Sequence, residues 1–186
     1  MTRGDYSPEM EYFTYLIGEL NDTIRYSDSK HTVGMSLVVS ILLASHQLLF
    51  ARLDMSVYLV RLMLDIHVGA GLFAMAFGYL GIFPKFISPS FSWKKRSKAK
   101  PNLFFFKEIS QSDINVLRAT VEEAFPDSSL SKSYREHAVI EVYALSQVAM
   151  RKFTTFRLFL YALFFYLVTM GWLFLTSLLD LSASRG

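Results

Sequence analysis

Residues 158–179 form an uncharged apolar run. It follows Arg151, Lys152 and Arg157 with no Pro or Gly-rich break from the polar, helically spaced stretch before it. A run of this length crosses a bilayer core of roughly 30 Å as a helix. Its backbone polar groups must then be satisfied within the helix. The chain opens with the same arrangement. Asn21-Asp22-Thr23-Ile24-Arg25-Tyr26-Ser27-Asp28-Ser29-Lys30 is polar with helical spacing and runs straight into the apolar residues 33–50. Both stretches read as single helices that begin in water and end in lipid.

Composition agrees with a mixed chain. The 186 residues are 52% hydrophobic, with a mean hydropathy of +0.30. That suits a small membrane protein with a soluble part of comparable size. Cysteine is absent, which excludes disulfides, thiolate metal sites and cysteine nucleophiles. Asp5, Glu9, Glu11 and Glu19 precede any apolar run, so a signal peptide is not expected at the start.

Ser7-Pro8-Glu9 is a helix start: a capping hydroxyl, a proline suited to the first helical position and an acid at the positive end of the dipole. Tyr12, Phe13, Leu16, Ile17, Leu20 and Ile24 then recur at helical spacing. Residues 33–50 give a first span. A second falls on residues 57–83, where Arg61, Asp65 and His67 interrupt the apolar pattern near one end. Arg61 and Asp65 are one turn apart and able to pair. Ala70, Ala74 and Gly78 make a series of small residues that admits a close neighbouring helix.

Residues 86–100 read as an irregular basic connection at the headgroups. Ser110-Gln111-Ser112-Asp113 is placed to cap a helix whose apolar face is Ile114, Leu117, Val121 and Phe125. A last helix is expected from about Ser133, with Ile140, Tyr143, Ala144 and Val148 packing inward. The expected organisation is a cytosolic helix over 1–31, a two-span transmembrane hairpin over 32–84, and a cytosolic basic connection with helices over 85–155. A third transmembrane helix over 156–180 and an external tail over 181–186 complete it. The fold class is thus an all-α membrane protein with three transmembrane helices and a helical cytosolic domain. Its first and last helices are continuous from cytosol into membrane. Lysine and arginine cluster on one side of this scheme, which puts the N-terminus in the cytosol of a multi-pass inner-membrane protein.

Catalytic signatures are missing. No Walker loop, GxGxxG, HExxH or GxSxG occurs, and no enzyme activity is expected. His31, His46, His67 and His137 lack a second histidine at three or four residues, so no metal and no cofactor are expected. Glu122-Glu123 reads as a solvated face. The basic run at 94–100 suits anionic headgroups better than a nucleic acid polymer. Phe104, Phe105 and Phe106 either pack a core or stack a base. Asp28 and Lys30 are either solvated junction charges or a ligand-responsive pair. Ser36, Ser40, His46 and Gln47 fall near one face, where they would line a water path or hydrogen-bond across helices.

Three stretches go further. Asn21 to Lys30 before the first span, Asn102-Leu103-Phe104-Phe105-Phe106-Lys107-Glu108-Ile109, and Ala144 to Phe153 before the last span together resemble the Pycsar transmembrane effector family. The resemblance extends from about Tyr12 to Leu179. It implies a bacterial antiphage effector, activated by a cyclic pyrimidine mononucleotide (cUMP or cCMP) made by a partner cyclase. Such an effector impairs the inner membrane, working against membrane lipid as a homo-oligomer, and halts the infected cell. Under that resemblance Arg25, Lys30, Arg151 and Lys152, at the two stem–span junctions, would meet the ligand's phosphate, with Asp28 in the same ligand site. Phe104, Phe105 and Phe106 would meet its base, and Asn102 belongs to the same ligand site. The competing reading is a constitutive holin-like toxin or a structural membrane subunit that needs no nucleotide.

Overall fold

The computed structural model describes residues 7–50, 58–82, 97–126 and 130–183. Residues 51–57, 83–96, 127–129 and 184–186 lie outside them, and with them most of the expected basic connection at 86–100, including residues 94–96 of the basic run. Five helices account for nearly all of what is described: α1 (Pro8–Phe50), α2 (Tyr58–Ile82), α3 (Phe106–Gln111), α4 (Ile114–Ala124) and α5 (Lys132–Ala183). The described residues form no strand. They contain a single bridge, in which Ser97 N donates to Gln111 O (2.8 Å) and Asp113 N to Ser97 O (3.3 Å).

The helix ends follow from local chemistry. Ser7 Oγ accepts from Met10 N at 3.3 Å, so Pro8 opens α1 where its missing N–H costs nothing. Asp113 caps α4 by accepting from Asn115 N at 2.8 Å. Ser131 caps α5, its Oγ accepting from Tyr134 N at 3.3 Å. α1 and α5 are long, at 43 and 52 residues, and neither is broken.

The chain forms two compact units, Met1–Ser27 with Pro84–Phe153 and Asp28–Phe83 with Thr154–Gly186. α1 and α5 each contribute to both.

In the first unit, Phe13, Leu16 and Leu20 of α1 pack with Ile109 of α3, Leu117 and Val121 of α4, and Val139, Val142 and Ala149 of α5. Phe13, Leu20, Ile109 and Leu117 are fully buried, each stabilising the unit by roughly 2 kcal/mol. The inward face of α5 is the expected one only in part: Tyr143 packs against the core. Ala138, Val139, Val142, Ser146 and Ala149 are buried, whereas Ile140 is 45% exposed and Ala144 also faces out. Three helices converge on this stretch, and they select the 138/142/146/149 stripe. Glu9, 1% exposed, meets Arg135 Nε at 2.7 Å, fastening the first turn of α1 to α5. Tyr12 donates its phenol to Leu103 O at 2.7 Å, and burial pushes that phenol well above its ordinary pKa.

In the second unit, Val38 of α1, Ala70 and Ala74 of α2, and Phe159, Ala162 and Tyr166 of α5 form the core. The expected small-residue stripe lies inside it, with Ala74 fully buried and Gly78 buried. A Cβ at Gly78 would come within 2.5 Å of Met35 Cγ, so this glycine lets α1 reach α2. Arg61 and Asp65 are both exposed and form no ion pair, contrary to expectation. Their side chains extend into open surroundings, where an exposed pair contributes little.

Among the described residues, two helices are long and apolar enough to cross a membrane: α2 over Arg61–Ile82, and α5 within Lys132–Thr176. Residues 33–50 are helical throughout, as the latter part of α1.

Candidate functional site

The residues singled out in the sequence divide between the two units. Arg25, Asn102, Phe104, Phe105, Phe106, Arg151 and Lys152 belong to the first; Asp28 and Lys30 belong to the second.

Within the first unit, Asn102 organises a turn. Its Oδ1 accepts from Phe104 N (3.0 Å), its carbonyl accepts from Phe105 N (3.0 Å), and its own N–H donates to Glu108 Oε2 (2.9 Å). This is the Asx geometry that lets a short polar side chain replace a backbone partner. The turn separates the three phenylalanines. Phe104 is 69% exposed and touches Tyr12 edge-on, Phe105 is exposed, and Phe106 turns inward to stack on Phe153 with centroids 5.7 Å apart. Core packing therefore accounts for Phe106, while Phe104 and Phe105 present open ring faces. Arg25 is exposed, Arg151 half-buried and Lys152 only 4% exposed.

The same unit holds a cavity of about 280 Å³ between α4 and the first turns of α5. Arg118, Lys132 and Arg135 supply its positive charge, Glu122 and Glu136 its negative charge, and Pro126, Leu130 and Val139 its apolar wall. Arg118 Nη2 reaches Glu136 Oε1 only at 3.8 Å. Sequence reasoning missed this group. The available signal was a set of cations on both sides of one short connection, which only pairing of α4 with α5 brings together.

In the second unit, the Lys30 ammonium stands 5.8 Å from the Phe156 ring centroid, within cation–π range. Thr32, Ser36 and Ser40 each donate to the carbonyl four residues earlier (3.0, 3.0 and 2.9 Å). With His46 and Gln47 they lie on the exposed side of α1. His67 was expected only as an interruption. It is fully buried, with Nε2 at 3.1 Å from Ser45 Oγ of α1 and Nδ1 at 3.1 Å from Thr169 Oγ1 of α5, and it stacks on Tyr166. One α2 side chain thus joins all three helices. A polar residue inside an apolar run requires such partners, which was the signal for it. His31 is also fully buried, 5.0 Å from Phe156. Gly81 leaves room for its ring.

No group of three His, Asp or Glu side chains able to hold a metal occurs among the described residues. The arrangement comprises a charged cavity and an aromatic turn in one unit, and a tightly packed apolar three-helix core in the other. Two unbroken helices are common to both. The Pycsar effector protein domain matches residues 12–179.

The chain belongs to the Pycsar effector family.

No curated protein and no solved structure matches it. Membership supports an antiphage defence role for this Pycsar effector. It implies in general a cyclic nucleotide, made by a cyclase, as its partner. With two helices apolar enough to cross a bilayer, it also points to a membrane protein.

Proposed function

We propose that this Pycsar effector senses a cyclic pyrimidine mononucleotide, cUMP or cCMP, in its first unit and impairs the bacterial inner membrane through its second. The observation that carries the reading is the unbroken course of α1 (Pro8–Phe50) and α5 (Lys132–Ala183), which belong to both units. A ligand that binds one arrangement of the first unit more tightly shifts the population toward it. Helices without a slack joint carry that shift into the apolar unit.

The membrane part comprises three spans: residues 33–50, α2 and residues 158–179. Arg25, Lys30, Lys98, Lys100, Arg151, Lys152 and Arg157 then lie on the cytosolic side with the N-terminus. Phe164, Tyr161, Trp172 and Phe174 are all more than half exposed on α5, a surface suited to acyl chains. The core of the second unit is filled by Val38, Ala74, Phe159 and Tyr166, so permeation requires several copies. The exposed face with Ser36, Ser40, His46 and Gln47 gives such an assembly a polar seam. No catalytic step is assigned to the chain.

The test is expression in bacteria with active or inactive partner cyclase while a dye follows membrane potential. Depolarisation only when the cyclase is active supports the reading. Depolarisation that ignores the nucleotide favours a constitutive holin-like toxin instead.

A further inference from the structure

We propose that the cavity between α4 and α5 receives the phosphate of the cyclic nucleotide, with Arg118 and Lys132 as its cationic contacts. This placement rests on the nucleotide-sensing reading above.

At about 280 Å³ the cavity falls just below the range for small-molecule sites, roughly 300–1,000 Å³. It suits one nucleotide rather than a cyclic oligonucleotide. Its cations are not equivalent. Arg135 is committed: Nε meets Glu9 at 2.7 Å, and Nη2 donates to Glu9 Oε2 (3.2 Å) and to Phe125 O (3.3 Å). Arg118 is held loosely. Its Nε is buried with no hydrogen-bond partner, and its contact with Glu136, at 3.8 Å, is well beyond the roughly 2.7–2.9 Å of a charge-assisted hydrogen bond. A guanidinium in this condition gains most from a phosphodiester, which accepts two parallel N–H bonds where the carboxylate accepts none. Lys132 is exposed on the cavity wall at the start of the 52-residue α5, where the helix dipole adds to its charge.

The two carboxylates have a place in this arrangement. Glu122 and Glu136 would repel a phosphate, but uracil N3–H and the cytosine amino group are donors that a carboxylate accepts. Phosphate binding by Arg118 releases Glu136 for that role. Val139 and Leu130 supply the apolar wall that a sugar and ring require. The cavity thus offers each part of a cyclic pyrimidine nucleotide a matching group. The phosphate contacts are then Arg118 and Lys132, in place of the expected Arg25, Lys30, Arg151 and Lys152.

The test is calorimetric titration of cUMP and cCMP into the full chain in detergent micelles. Wild type is compared with Arg118→Gln, Lys132→Gln, Lys107→Gln and Lys30→Gln, with helicity checked by circular dichroism. Arg118→Gln and Lys132→Gln are each expected to weaken binding about tenfold or more, the scale of one lost charged hydrogen bond. Arg118→Lys should recover part of the loss. Lys107→Gln removes an exposed charge elsewhere in the unit and should bind as wild type does. Lys132 is exposed, so its variant keeps the test open if Arg118→Gln misfolds. Wild-type affinity in both cavity variants, with a loss in Lys30→Gln, overturns the placement but leaves nucleotide sensing intact. A wild-type chain that binds neither nucleotide overturns both.

Discussion

His67 of α2 and Ser45 of α1 meet inside the apolar unit, Nε2 to Oγ at 3.1 Å, while the opposite ring nitrogen meets Thr169 of α5. Both hydroxyls also donate to carbonyls of their own helices, Ser45 to Leu42 O and Thr169 to Tyr166 O. A hydroxyl has one proton, so each can serve the imidazole fully only as an acceptor. A neutral ring has one N–H for two such acceptors. One of the two hydroxyls must therefore share its proton between ring and backbone.

Replacing His67 by Phe keeps the stacking on Tyr166 and removes both links. Hydrogen bonds between membrane helices average about 0.6 kcal/mol each, so the variant should lose about 1–2 kcal/mol. Thermal unfolding in micelles measures this. The double variant with Ser45→Ala should fall short of additivity, because both changes remove the same contact.

Gly34, Gly71, Gly78 and Gly81 set how closely the side chains of neighbouring helices approach in the second unit. A Cβ at Gly71 would lie 2.6 Å from Leu42 Cδ1 and 3.0 Å from Tyr166 Cε2. Gly71→Leu should therefore destabilise the unit by about 1–3 kcal/mol, the usual range for overpacking. Gly69→Leu, where nothing lies within 4 Å, should be close to neutral. Melting temperatures of the two variants in the same detergent give the comparison.

Arg135 and Glu9 test the first unit. Removing the cation from the nearly buried carboxylate of Glu9 breaks the pair, and breaking a buried pair costs up to about 3–5 kcal/mol. Arg135→Met should approach that loss in denaturant unfolding. Arg135→Met with Glu9→Leu should recover most of it, since neither charge then remains buried.

Tyr12 gives a pH signature. Burial raises its pKa above the unfolded value of 10.0. Above about pH 10 the unfolded chain releases this proton while the folded chain keeps it, so stability falls as pH rises. The slope from this one group reaches at most about 1.4 kcal/mol per pH unit. Tyr12→Phe should remove that part of the alkaline slope. It should also cost about 1–3 kcal/mol at neutral pH, because Leu103 O loses its partner.

Local chemistry was legible in the sequence. The Ser7-Pro8 start, a cap within Ser110–Asp113 and the helical spacing of Phe13, Leu16 and Leu20 depend on neighbouring residues alone, and they appear in the structure, where Asp113 supplies the cap. Ile140 and Ala144 were misassigned because several stripes of α5 carry apolar side chains, and only the positions of α1, α3 and α4 select among them. The cavity was illegible for a related reason. Arg118 and Lys132 meet only once α4 and α5 pair across the intervening connection. His67 looked like a flaw in a span because its partners, Ser45 and Thr169, lie on two other helices.

The transfer of a nucleotide signal into the membrane depends on unbroken helices. This dependence is tested most directly by nucleotide-triggered dye release from liposomes containing the full chain or a variant with Gly-Ser-Gly-Ser inserted between Phe153 and Thr154. The insertion should leave cyclic nucleotide binding at wild-type affinity and abolish the triggered release. Release that persists undiminished in the interrupted chain would contradict the claim.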